Sequence, residues 1–256
     1  MAKIKLDVTK SLEKNAEVYF EKGKKAKKKL EGAREALERS LKKLEKAKKE
    51  KISQEKKVKK IERKKAWYEK FRWFFSSEGF LCIGGRDATS NEIVIKKHTD
   101  KEDVVFHTSM AGSPFFVIKT EGKKVGEKSL NEVAQAVASY SKAWKLGIAS
   151  TDVFWVKPEQ VTKEAKPGEY VARGAFMVYG KKNEMNVGLG IAIGLKDGMI
   201  IGGPIDSIKA QTDNFIEIIQ GNEKASDTAK KINKKLKGGE MDEIIRMLPA
   251  GGCKLK

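Results

Sequence analysis

A seven-residue repeat near the start of the chain is the feature that most restricts its fold. Two sets of positions, spaced like the core positions of a coiled coil, hold mostly apolar or small residues over seven heptads. The first set is Ala16, Gly23, Leu30, Leu37, Leu44, Lys51 and Val58, and the second is Tyr19, Ala26, Ala33, Ser40, Ala47, Gln54 and Ile61. This narrow stripe is typical of a helix that packs closely against another helix.

The repeat predicts one helix from about residue 11 to residue 76, roughly 100 Å long at 1.5 Å per residue. Thr9 or Ser11 is expected to cap its start. No turn signal lies between Lys48 and Glu55, so a hairpin folded near Ile52 is not expected.

Such a helix cannot bury its apolar stripe alone. No other segment of the chain has a matching length and pattern. Two alternatives follow: the helix pairs with itself in a coiled-coil homodimer, or its partner helix belongs to a part of a longer protein.

The net charge of +19 is concentrated in the helical region. Residues 1–75 contain 27 Lys/Arg against 12 Asp/Glu, whereas residues 76–256 contain 27 against 23. A basic helix attached to a nearly balanced domain predicts a polyanionic partner, above all a nucleic acid.

Cysteine and histidine are too scarce for a metal cluster. The two cysteines, Cys82 and Cys253, are far apart, and there are only two histidines. We therefore expect no metal or other cofactor, and a reducing, cytoplasmic setting. No apolar run approaches the length of a membrane span, so no membrane-spanning role is expected.

An aromatic stretch follows the heptads. Trp67, Phe71, Phe74 and Phe75 fall on one face at helical spacing. The pattern predicts that they insert the end of the long helix into a globular core, with Gly79 ending the helix.

A strand over Phe80–Ile83 is expected to run into a Gly84-Gly85 turn and then a new helix capped by Asp87. Backbone N–H groups at such a turn can bind an anion. The two glycines can equally serve close packing, which is the commoner role of an isolated Gly-Gly pair. Arg86 is expected to be exposed beside the turn.

The remaining sequence mixes strand and helix patterns. Predicted strands are Val104–His107, Phe115–Lys119, Asp152–Lys157, Ala175–Tyr179 and Phe215–Ile219. Predicted helices are Ser129–Trp144, with Ser129 and Glu132 as a capping box, Ser226–Leu236 and Glu240–Met247. Asn91–His98 is amphipathic and fits either a helix or a strand. The predicted fold class is α+β, with a basic coiled-coil helix over 1–76 and a mixed α/β globular domain over 77–256.

Several of these stretches together resemble one family. The matching segments, in order, are Trp67–Glu92, Tyr140–Trp144, Pro167–Tyr170 and Gly174–Asn183. They are similar to the NFACT-R domain of NFACT proteins, which are ribosome quality-control factors. Residues 11–66 look like the returning arm of that family's long coiled coil.

The resemblance implies an RNA- and ribosome-binding role. Family members recognise obstructed large ribosomal subunits that carry peptidyl-tRNA and help to extend the stalled chain at its C-terminus. The implied partners are large-subunit rRNA, tRNA and the N-terminal half of a family protein, which this sequence lacks. Many members also have an acid and a second histidine after the strand at Val104–His107. Here the loop reads His107-Thr-Ser-Met-Ala-Gly112, which puts any catalytic role for that loop in doubt.

Six residues are the candidates for RNA contact. They are Arg86, Asn91, Lys96, Lys97, Lys181 and Lys182. Lysine and arginine side chains bind phosphates, and an asparagine can bind a base edge or a sugar hydroxyl. For any single lysine, a merely solvated surface position is the commoner role.

Other functions remain open at this point. The basic helix also fits a protein-interaction module that recruits a partner through a coiled coil. A hydrolase using His107 and Ser109 is disfavoured because the sequence supplies no orienting acid or oxyanion motif, so we expect no enzyme. Trp144, Trp155 and Tyr170 are candidate stacking platforms, but buried core positions are their more ordinary role.

Overall fold

The structure is a computed structural model that describes residues 4–58, 65–164 and 171–256, with the backbone alone described over 46–58. The chain divides into two units, Met1–Lys64 and Lys65–Lys256. This division lies upstream of the boundary expected between residues 76 and 77. Tyr170, the Pro167–Tyr170 motif, Ile61 and the side chains of the seam beyond Leu44 lie outside the described set.

The first unit is built on one long helix, α1, which runs from Leu12 to Val58. Ser11 caps it, since its hydroxyl oxygen accepts the Lys14 N–H at 3.3 Å. The helix passes Ile52 without a turn, which confirms a single helix rather than a hairpin at that place. The seam residues Leu30, Leu37 and Leu44 are exposed.

The prediction that this helix continues to residue 76 is wrong. Trp67–Lys70 forms a 3-10 turn, and Arg72–Phe75 forms the first strand, β1, paired with Leu81–Gly84. Trp73 and Phe74 are both buried although they point to opposite faces of the strand. Burial on both faces removes the alternation that marks a strand, so the aromatic spacing resembled a helical one.

The described part of the second unit contains eleven further strands and six α-helices. The strands are β2 (Leu81–Gly84), β3 (Val104–Thr108), β4 (Phe116–Lys119), β5 (Ser150–Val156), β6 (Val161–Thr162), β7 (Met177–Val178), β8 (Asn183–Gly188), β9 (Ile191–Lys196), β10 (Met199–Gly203), β11 (Phe215–Glu223) and β12 (Cys253–Leu255). The helices are α2 (Ala88–Lys97), α3 (Glu127–Tyr140), α4 (Lys142–Lys145), α5 (Ile205–Lys209), α6 (Ala225–Leu236) and α7 (Met241–Met247).

The strands of the described residues form three antiparallel sheets. The largest has the order β1-β2-β4-β3-β5-β8, the second β10-β9-β11-β12, and the third is the pair β6-β7. Helix α3 lies against β3, β5 and β8 of the large sheet. The α+β class expected from the sequence is therefore confirmed.

Close packing joins the two larger sheets beside β1. A side chain at Gly203 in β10 would place its Cβ 2.9 Å from Cβ of Phe74, so glycine is required there. Phe74 and Phe116 belong to the same core, which also contains Ile83 and Trp144. Trp144 is thus a core residue, and its indole N–H donates to the Gly252 carbonyl oxygen at 3.0 Å.

Most predicted elements occur, with changes at their ends. The segment left open at Asn91–His98 is helical, within α2, and Asp87 caps that helix by accepting the Ser90 N–H at 2.8 Å. The strand expected over Ala175–Tyr179 shrinks to β7. The helix expected over Ser226–Leu236 begins at Ala225 with Lys224 at the cap position, so Ser226 is not its cap.

The capping box at Ser129 is also wrong, because the cap of α3 comes from elsewhere in the chain. The helix begins at Glu127, and Glu78 in the β1–β2 turn accepts the Ser129 N–H at 2.9 Å. Glu132 turns away from the helix start and accepts the Ser77 N–H at 2.9 Å. The helix ends at Tyr140 rather than at Trp144. The next residue, Ser141, caps the separate short helix α4.

Candidate anion-binding site

A cavity of about 420 Å³ opens where β1, the β2–α2 turn, the β3–β4 loop and the segment before β7 meet. The charged residues among its described lining are Arg72, Arg86, Arg173 and Asp87. We call it the arginine cavity. Its remaining walls are largely apolar and aromatic.

Arg86 is half-buried at the edge of the cavity, so the expectation that it is exposed is wrong. Its guanidinium donates from Nη2 to the Phe71 carbonyl oxygen at 2.9 Å and from Nη1 to that of Arg246 at 3.1 Å. Its Nε is buried and has no hydrogen-bond partner within the described part of the chain. Burial, followed by repulsion from Arg72, lowers the pKa of Arg86 to about 10.

Arg72 enters the cavity from β1. Its guanidinium carbon lies 4.0 Å from the centre of the Tyr140 ring, which is a cation–π contact. Its Nη1 is buried and finds no hydrogen-bond partner in residues 4–58, 65–164 and 171–256. Burial lowers the pKa of this side chain. Among the described residues, neither Arg72 nor Arg86 has an ion pair with a carboxylate.

Asp87 is engaged elsewhere. Its carboxylate accepts from the Ser90 N–H at 2.8 Å and from the Ser90 hydroxyl at 2.9 Å, and these bonds lower its pKa. Arg173, exposed across the cavity, lowers that pKa further by its charge. The cavity therefore holds three cationic side chains near one carboxylate that caps a helix.

The opposite wall is aromatic. The His107 ring stacks on Phe115 with centroids 4.0 Å apart, and Phe176 meets Phe115 edge-on at 5.4 Å. His107 Nε2 lies 3.2 Å from the Ser113 carbonyl oxygen, so it is the protonated nitrogen that donates. Burial lowers the pKa of His107, which keeps the ring neutral near pH 7.

The Gly84-Gly85 turn joins a strand to a helix, as predicted, but its glycines serve packing. A Cβ at Gly84 would lie 2.4 Å from the Phe116 ring, and one at Gly85 would lie 1.8 Å from Oδ1 of Asn91. Neither glycine has a positive φ. Close approach therefore accounts for both glycines, and the cationic character of the site comes from arginine side chains.

The structure brings together only two of the six candidate RNA contacts. Arg86 and Asn91 both line the cavity, although Asn91 is buried and its Oδ1 accepts the Phe115 N–H at 3.2 Å. Lys96 and Lys97 are exposed at the C-terminal end of α2, five and six residues after Asn91, or about 8–9 Å along the helix at 1.5 Å per residue.

The last two candidates lie apart from the cavity. Lys181 and Lys182 are exposed before β8 and do not line it. The Lys182 ammonium nitrogen lies 4.5 Å from the centre of the Phe154 ring, which gives that charge a surface contact of its own.

Sequence reasoning missed Arg72, Tyr140 and Arg173. Arg72 did leave a signal, because it is the one charge inside the aromatic run Phe71–Phe75, and a lone charge in a buried strand needs a polar or functional reason. Tyr140 opens the family segment Tyr140–Trp144, which did not indicate a role at this cavity, and Arg173 left no local signal.

The described part of the chain contains neither a candidate metal-binding group nor a candidate membrane-spanning helix. Its histidine, cysteine and acidic side chains form no group of three suited to a metal ion. Its helices include none with the length and apolar character of a membrane span.

The chain is similar to one family model and to several known proteins. Residues 70–180 match the family model described as NFACT protein RNA binding domain. The chain is 41% identical over 199 residues to the archaeal Rqc2 homolog aRqcH of Methanocaldococcus jannaschii, covering 75% of this chain and 30% of that protein. It is 41% identical over 121 residues to the ribosome quality control complex subunit NEMF of Homo sapiens, covering 47% of this chain and 11% of that protein. The chain thus spans less than a third of these relatives.

One solved structure is also similar. The C-terminal part of the fibronectin/fibrinogen-binding protein from Streptococcus suis aligns with a TM-score of 0.40 and 16% identity, over 51% of this chain and 48% of that one.

Proposed function

The chain belongs to the NFACT family through its RNA-binding domain, and from this premise we propose that it is the RNA- and ribosome-binding part of a ribosome quality-control factor. Its targets are obstructed large ribosomal subunits with peptidyl-tRNA, contacted through rRNA and tRNA, and its role is to assist C-terminal tailing of the stalled chain. The observation that carries the proposal is the 41% identity over 199 residues to an archaeal Rqc2 homolog. We assign this chain a binding role and no catalytic step.

The charge distribution supports RNA as the partner. Residues 1–64 contain 24 Lys/Arg against 11 Asp/Glu, and the lysines of α1 between residues 22 and 29 are all exposed. Lysines along a helix bind phosphates without reading sequence, and this contribution weakens as salt rises. The second unit adds the arginine cavity and the exposed lysines of α2.

A binding assay with purified large ribosomal subunits and tRNA tests this proposal. We expect co-sedimentation with the large subunit at low salt and competition by added tRNA. If about six phosphates are neutralised, the affinity for RNA should fall about a thousandfold between 50 and 200 mM salt. Binding that ignores salt, or no binding to subunits, would contradict the proposal.

A second candidate function is protein interaction through α1. Leu30, Leu37 and Leu44 follow each other at seven-residue spacing, and each is more than half exposed, at 56%, 61% and 52%. This stripe fits a coiled-coil partner, either a second copy of the chain or the first arm of a longer protein.

Analytical ultracentrifugation separates these cases. A homodimer predicts a concentration-dependent doubling of mass that Leu37→Glu abolishes and that Glu38→Gln, one position off the seam, leaves in place. A monomer at all concentrations would reject self-pairing.

A further inference from the structure

Two arginines of the arginine cavity have hydrogen-bond donors that no described residue satisfies. Arg72 and Arg86 each have a buried guanidinium nitrogen without a hydrogen-bond partner among the residues that the structure describes. Buried polar groups are nearly always hydrogen-bonded, and an exception calls for a water or an ion. The carboxylate beside them, Asp87, already caps α2.

From this geometry we propose that the arginine cavity binds the phosphate monoester of a nucleotide. The proposal rests on the proposed RNA-binding function and makes it more specific, since it names one chemical group and one place. The ligand comes either from a phosphorylated RNA end or from a free nucleotide.

Charge balance favours a monoester over other anions. Among the described lining residues, three arginines and one aspartate leave two positive charges, since the neutral His107 adds none. A phosphate monoester carries close to two negative charges at pH 7. A carboxylate or an internal phosphodiester carries one and would leave the cavity cationic. Arginine also matches phosphate geometry, because its planar guanidinium donates two parallel hydrogen bonds.

The size and walls of the cavity favour a nucleotide over phosphate alone. A volume of about 420 Å³ lies in the usual range of about 300–1,000 Å³ for small-molecule sites. Beyond the arginines, its walls include His107 and Phe176, aromatic rings of the kind that contact sugars and bases. Asn91, at the start of α2, adds an amide to the same lining.

The test uses the full chain and measures thermal unfolding and ligand binding. The probes are the four nucleoside 5′-monophosphates, the matching nucleosides, inorganic phosphate, and one short RNA with and without a terminal phosphate. Arg173→Gln removes the charge of an exposed side chain at the cavity, so the variant should fold. Lys196→Gln is the matched control, with the same charge change at an exposed residue that ends β9 and does not line the cavity.

We expect the monophosphates to raise the Tm by several degrees at saturation, whereas the nucleosides leave it unchanged. Arg173→Gln should weaken monophosphate binding about tenfold or more, and Lys196→Gln should not. A preference for phosphorylated RNA without binding of free monophosphates identifies an RNA end as the source, and the reverse identifies a free nucleotide. No preference for phosphorylated over unphosphorylated probes would overturn the proposal, as would equal losses in the two variants.

These outcomes are separable from those of the RNA-binding proposal. A chain that binds large subunits but shows no preference for the monoester refutes the cavity assignment alone. A chain that binds monophosphates but no ribosomal subunits refutes the ribosome-binding role and leaves the cavity assignment standing.

Discussion

The guanidinium of Arg72 lies 4.0 Å from the centre of the Tyr140 ring, and the Tyr140 hydroxyl donates to the Met247 carbonyl oxygen at 2.9 Å. This pair links the first strand of the large sheet to the end of α3 and to α7. Because Tyr140 is buried, it holds the arginine while excluding water from that side. The cationic wall of the cavity is thus built into the core.

Tyr140→Phe should lower the free energy of unfolding by about 1–2 kcal/mol, because the buried Met247 carbonyl loses its donor. The ring is retained, so Arg72 keeps its cation–π contact. Urea denaturation measures the loss. Tyr179→Phe is the control, since that hydroxyl donates to the Glu164 carbonyl oxygen at an exposed 3.3 Å contact, and its effect should be smaller. Equal losses in the two variants would contradict the importance given to the Tyr140 bond.

Glu78, which caps α3, and Glu132, within α3, should contribute to the free energy of unfolding with opposite pH dependence. Hydrogen bonds from Ser129 lower the pKa of Glu78, whereas burial raises the pKa of Glu132. The Glu78 contribution is therefore fully present above the ordinary pKa of 4.5 and is lost as the pH falls through its folded pKa. For Glu132 the sign reverses, since ionisation opposes folding and stability is gained as the pH falls through its raised pKa.

Urea denaturation between pH 7 and pH 3 checks these signs in two matched variants. Glu78→Gln should lower stability at pH 7 by about 1 kcal/mol, as loss of a charged helix cap does, and should flatten the acid limb. Glu132→Gln should keep or raise stability at pH 7, because an amide oxygen still accepts the Ser77 N–H. The same change in both variants would show that the two carboxylates do not differ.

Lysines of α1 should supply most of the salt dependence of RNA binding. Replacing six exposed lysines by glutamine should reduce the slope of log affinity against log salt by about five. The six are Lys22, Lys24, Lys25, Lys27, Lys28 and Lys29. Filter binding between 50 and 200 mM salt gives the slope. Arginine at the same six positions keeps the charge and should leave the slope nearly unchanged. A smaller slope in the arginine variant would indicate that the substitutions disrupt the helix.

Replacing two glycines by alanine should change stability in opposite directions, because one glycine is closely packed and the other is not. Gly85→Ala should cost about 1–3 kcal/mol or more, because the new Cβ would lie 1.8 Å from Oδ1 and 2.8 Å from the backbone nitrogen of Asn91. Gly23→Ala, in open space on α1, should instead raise helicity, with a gain of about 1 kcal/mol. Thermal unfolding followed by circular dichroism measures both. A neutral Gly85→Ala would contradict the close contact.

The sequence by itself determined the features that depend on neighbouring residues. The heptad spacing predicted the helix that α1 forms through Ile52, and Ser11 was one of the two residues expected to cap it. The Gly-Gly pair predicted the turn between β2 and α2. It also named Arg86 and Asn91 among six candidate RNA contacts, which stay predictions. These features follow from periodicity and local hydrogen bonding, which are encoded within a few residues.

Only the tertiary structure decided where distant segments meet. Arg72–Phe75 forms a strand because both of its faces are covered, and α3 takes its cap from Glu78, about fifty residues earlier in the chain. The arginine cavity depends on the same kind of contact, since Arg72 and Arg173 come from opposite ends of the matched domain. Long-range burial and charge proximity have no local period, and for that reason the sequence alone did not reveal them.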